Sequence, residues 1–85
     1  MNNEHAIALT EAANKYLTWN AYHFTVKSKD EKMFKFIALD YSDLMFIAAL
    51  IEIGEDKKKI SKAMWDLDTA VRDVIPNKVY KAYAE

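Results

Sequence analysis

The chain has 85 residues, a formal net charge of −1, 52% hydrophobic and 29% charged residues, and no cysteine. That hydrophobic content excludes the disordered class, and the length allows one domain over residues 1–85 that buries about 60 to 65% of its unfolded surface. The missing thiols exclude disulfide staples and thiolate metal sites, and the near-neutral balance excludes an overall electrostatic pull toward nucleic acid or anionic lipid.

The opening "MNNEHAIALTEAANKY" lacks the basic flank and unbroken apolar core of a signal peptide, so a cytoplasmic location is expected. From about Asn3 to Leu17, the residues Ala6, Leu9, Ala13, Tyr16 and Leu17 recur at three- and four-residue spacing and predict a first helix, with Glu11 and Lys15 placed as an i,i+4 pair. The period then changes. In "WNAYHFTVKS", Tyr22, Phe24 and Val26 alternate with His23, Thr25 and Lys27, and in "KMFKFIAL" Phe34, Phe36 and Ala38 alternate with Met33, Ile37 and Leu39, broken only by Lys35. Two strands joined by the polar turn "SKDE" are expected, the second covered on both faces.

Asp40 or Ser42 is placed to cap a second helix that ends at Gly54, the single glycine. Beyond "EDKKK", the stripe Ile60, Ala63, Met64, Leu67, Val71 and Val74 predicts a third helix that ends before Pro76. A short last helix, "KVYKAYAE", is expected with Asn77 as its cap. The predicted fold class is therefore α+β: a single small domain in the order α-β-β-α-α, with a two-stranded antiparallel hairpin packed against helices.

Motifs for chemistry are sparse. His5 and His23 fall on different elements with no carboxylate at ligand spacing, so no metal and no cofactor are expected. No phosphate loop or nucleophile motif is present, and Asp40, Asp43, Asp66, Asp68 and Asp73 have work as caps and ion-pair partners, so the chain is not expected to be an enzyme. The 18-residue run "FIALDYSDLMFIAALIEI" contains Asp40, Asp43 and Glu52, which argues against membrane insertion. The second helix, Gly54 and the third helix have nearly a helix-turn-helix layout, with Ile60 six residues after the glycine, so a nucleic-acid-binding regulator is the alternative reading. Glu55 and Asp56 would set acid beside the phosphates, and the run Lys57, Lys58, Lys59 reads as a solvated face, which disfavours it.

The stretch "LMFIAALIEIG" carries the functional signal. On a helix, Leu44, Ile47, Ala48 and Ile51 share one side, while Phe46, Leu50 and Ile53 share nearly the opposite side. Two apolar faces need two covers: either an internal sandwich between hairpin and helices, or another chain. Trp65 projects away from the third helix's apolar stripe, near Arg72, and is either open or covered by Tyr80 or Tyr83. The expected function is a non-enzymatic protein–protein interaction module that forms a homodimer or binds a protein partner. Its partner-binding residues are Phe46, Leu50, Ile53, Trp65 and Arg72.

In size and composition, a cysteine-free chain of 85 residues beginning "MNNEHAIALTEAANKY" resembles the small accessory proteins of tailed bacteriophages, including those of lysis inhibition and host takeover. The resemblance implies a regulator that acts by binding a phage or host protein.

Overall fold

The computed structural model describes residues 4–23 and 31–84. They form five helices: α1 (Glu4–His23), α2 (Glu31–Glu52), α3 (Lys57–Trp65), α4 (Thr69–Arg72) and α5 (Asn77–Tyr83). No strand occurs among the described residues, so the fold is all-helical and the expected α+β hairpin is wrong. Residues 24–30, in the middle of that hairpin, lie outside the described residues. Its flanks are helical: residues 19–23 continue α1, and residues 32–39 belong entirely to α2.

The reason lies in what is missing from the first half of the chain. The chain's one glycine and one proline are Gly54 and Pro76, so neither residue falls within the helical runs 4–23 and 31–52. Three- and four-residue spacing also continues past Leu17, and the Asn20 side-chain amide donates to the Tyr16 carbonyl at 2.8 Å within the helix. The two-residue alternation was short, and an isolated two-stranded hairpin is marginal in water. The apparent burial of the second strand on both faces was the signature of a helix with two apolar stripes.

α1 and α2 pack as an antiparallel pair. Leu9 and Ala13 of α1 and Leu44, Ile47, Ala48 and Ile51 of α2 are buried in the same cluster. Two hydrogen bonds fix the register: the Tyr16 hydroxyl donates to Asp40 Oδ2 at 2.8 Å, and the Tyr41 hydroxyl donates to Asn14 Oδ1 at 3.0 Å. Asp40 and Ser42 are therefore interior to α2 and cap nothing. At 1.5 Å per residue these helices run about 30 Å, consistent with a molecule 40 Å long and only 21 by 19 Å across.

The C-terminal end of α2 is closed by Gly54, at φ +76°, where the Gly54 amide donates to Ile51 and the Glu55 amide to Leu50. That pair of bonds is the Schellman arrangement, which satisfies carbonyls the helix leaves over. Asp56 then caps α3, its side chain accepting from the Lys58 amide at 3.0 Å. The cap offsets three lysines placed against the helix dipole.

The single third helix expected through Val74 is instead broken. Asp66 ends α3, and Asp68, extended at φ −61° and ψ 149°, starts α4. Ile60, Met64 and Val71 are buried as the stripe implied, but Leu67 and Val74 are only half-buried, and the break brings Ile75 and Val79 into the core. Pro76, not Asn77, precedes α5, and Asn77 is its first residue.

These short helices cover half of the α1–α2 pair. Lys78 meets Glu4 at 3.3 Å, and the Tyr83 ring stands edge-on to His5 at 5.4 Å. Ala63 and Leu67 face Ile47 across a groove. Every contact of α3 and α5 named here falls on the half of the pair formed by the start of α1 and the end of α2.

Candidate partner-binding surface

The inner side of α2 is satisfied, with Ile37, Leu44, Ile47, Ala48 and Ile51 all buried. Its outer side is not: Phe36 is 65% exposed, Leu39 60%, Phe46 60% and Ile53 70%. Leu50 is half-buried between the two sides, packed against the core cluster. At 100° per residue the outer stripe is centred about 125° around the helix from the inner one.

The spacing of the outer residues follows a rule. Leu39, Phe46 and Ile53 are seven apart, and so are Phe36, Asp43 and Leu50, which gives the a and d positions of two and a half heptads. Five of the six positions are large and apolar, and Asp43 is the exception. The neighbouring positions Ser42 and Ala49 are small and exposed, so another helix can approach closely. Singly exposed apolar residues are ordinary, as Ile7 is on α1; four aligned along one helix form a contiguous patch that water wets poorly.

A groove of about 220 Å³ runs beside the stripe, lined by Asp43, Phe46, Ile47, Ala63, Asp66 and Leu67. Its two carboxylates differ in setting. Asp66 pairs with Lys62 at 3.2 Å, whereas Asp43 enters none of the ion pairs formed among the described residues.

Trp65 and Arg72 come together as expected, but not on this surface. The Arg72 guanidinium lies 4.7 Å from the centre of the Trp65 ring and donates to the Trp65 carbonyl at 3.4 Å and to Thr69 Oγ1 at 3.0 Å. The indole N–H donates to the Ala84 carbonyl at 3.1 Å, and Tyr80 stands edge-on to the ring at 5.7 Å. The fold-back of the last helix therefore covers Trp65 in part and leaves it 48% exposed. The groove beside it, lined by Trp65, Thr69, Arg72, Asp73, Ile75, Asn77 and Tyr80, shares no residue with the groove beside Phe46.

Sequence reasoning placed Phe46, Leu50 and Ile53 on one surface but missed Phe36 and Leu39, which it had assigned to a strand. The heptad offsets from Phe46 and Leu50 would have found them.

The register bond at Tyr16 has an electrostatic consequence. Burial, then the hydrogen bond to Asp40, then that carboxylate's charge push the Tyr16 hydroxyl up from 10.0 to about 12. Lys57, Lys58 and Lys59 are exposed on the first turn of α3, and Lys59 pairs with Glu55 at 3.6 Å. Among the described residues no three His, Asp or Glu side chains cluster as metal ligands, and no helix is long and apolar enough to cross a membrane. Comparison with protein-family models, with curated proteins and with solved structures finds no match.

Proposed function

We propose that this chain is a non-catalytic binding module that works by apposing the outer face of α2 to another protein surface, beginning with a second copy of itself. The observation that supports it is the aligned exposure of Phe36, Leu39, Phe46 and Ile53 on a helix whose inner side is already buried. An apolar stripe of this length on a small domain is the usual mark of an interface. The separate Trp65–Arg72 pair offers a second, smaller patch of aromatic and cationic character, the composition favoured at binding hot spots. A small accessory regulator acting in the cytoplasm, of the kind its size and composition resemble, fits this mode of action.

The test is light scattering across a concentration series on the parent and on Phe46→Glu. Phe46 is exposed in the single chain, so the substitution leaves the core alone and places a charge in the contact, where an unpaired carboxylate is costly to bury. The expected result is a parent that dimerises and a folded variant that does not. Equal masses for the two at every concentration would remove the outer face of α2 from any self-contact.

A further inference from the structure

We infer that the second copy packs antiparallel along α2, with the two-fold axis midway between Leu44 and Met45; this rests on the binding reading above and specifies its geometry. The stripe from Phe36 to Ile53 is self-complementary about that point. Reversed against a copy of itself, it sets Phe36 opposite Ile53, Leu39 opposite Leu50, and Asp43 opposite Phe46. Each is an a position facing a d position, the layer antiparallel coiled coils form. Ser42 and Ala49 lie along the same edge and face each other across the contact, which lets the backbones approach.

Charge selects this orientation over the parallel one. A parallel pair would put Asp43 against Asp43 in the central layer, two carboxylates facing each other in an apolar seam. The antiparallel pair sets each carboxylate against a Phe46 ring. It also opposes the helix dipoles of the two copies.

The fold supplies a further reason. The half of the α1–α2 pair that α3 and α5 leave uncovered carries Phe36 and Leu39. Antiparallel pairing lays this half along the Leu50–Ile53 end of the partner, so each copy covers the other's open half. The area suffices for a modest dimer. Large side chains carry about 200 Å² each, and with four of them 60 to 70% exposed, pairing withdraws about 1,000 Å² in total, the lower bound of a specific interface. Micromolar affinity is expected.

The absence of native cysteine makes orientation directly readable. Phe36→Cys and Ile53→Cys are prepared separately, each at an exposed position, and treated with a short bis-maleimide cross-linker alone and as an equimolar mixture. The antiparallel register predicts cross-linked dimer in the mixture and little in either chain alone, because identical positions sit about 25 Å apart along the axis. Strong cross-linking of each chain alone, with none gained on mixing, overturns the register in favour of a parallel pair. No cross-link in any sample overturns the second copy as occupant. Phe46→Glu, introduced into both cysteine chains, separates the two claims. If it abolishes a parallel pattern, the face stands and only the orientation falls. If cross-links of either pattern survive it, the face itself is wrong.

Discussion

The Tyr16–Asp40 bond allows the α1–α2 register to be tested through pH. A tyrosine whose hydroxyl is raised from 10.0 to about 12 in the folded chain binds its proton more tightly folded than unfolded. The stabilisation is therefore complete below pH 10 and disappears as pH climbs through about 12. A rise from 10.0 to about 12 corresponds to at most about 2.7 kcal/mol. Tyr16 is only half-buried, so solvent screening reduces the usable value to about 1 kcal/mol. Tyr16→Phe removes the hydroxyl and leaves the ring. It should cost about 1 kcal/mol at neutral pH through the lost bond to a carboxylate. It should also flatten part of the fall in stability that the parent shows from pH 10 to 12. The assay is urea unfolding followed by circular dichroism at pH 8, 10 and 11.5 on both chains. Taking the difference between them cancels the titration of the other tyrosines and the lysines. If the two chains lose stability in parallel over that range, Tyr16 does not hold its proton against Asp40, and the register drawn from that bond is wrong.

Other substitutions separate core from surface. Met64 is fully buried, so Met64→Ala should cost about 2 to 5 kcal/mol in thermal or urea unfolding, whereas half-buried Leu67→Ala should cost clearly less; the reverse order would restore the unbroken third helix. Gly54→Ala meets no neighbouring atom, so its cost is that of a left-handed backbone alone, about 1 kcal/mol, and an unchanged melting temperature would contradict the Schellman closure. Trp65→Ala should lose about 1 to 2 kcal/mol from the indole hydrogen bond and the Tyr80 and Arg72 contacts, with self-association unchanged by light scattering; a dissociated variant would join the two patches into one.

The helical character of residues 4–17 and 44–52 was legible because three- and four-residue spacing persists at Ala6, Leu9 and Ala13, and again at Leu44, Ile47, Ala48 and Ile51. Gly54 was legible as a stop because only glycine takes its backbone angle without strain. Residues 19–23 and 32–39 misled for a physical reason: when a helix is apolar on two sides, a window of eight residues contains enough alternation to imitate a strand. The same feature hid half of the exposed stripe, since Phe36 and Leu39 were given to the false strand, while Phe46 and Ile53 were placed on the side of α2 that is exposed and Leu50 proved half-buried against the core. Trp65 and Arg72 were rightly paired, but which surface they share depended on the break at Asp66–Asp68. No glycine or proline marks that break, and Asp68 makes no side-chain capping bond there.

As an intermolecular seam, the outer stripe of α2 would have one misfit, Asp43. Sedimentation equilibrium on the parent, Asp43→Leu and Phe46→Glu tests it most directly, because the two substitutions act in opposite directions on a single association constant. Removing the one charge from the seam should tighten the dimer at least about tenfold, equivalent to about 1.4 kcal/mol, while Phe46→Glu should leave a folded monomer. An association constant that is the same in all three chains, or a parent that remains monomeric at high micromolar concentration, would rule out the seam.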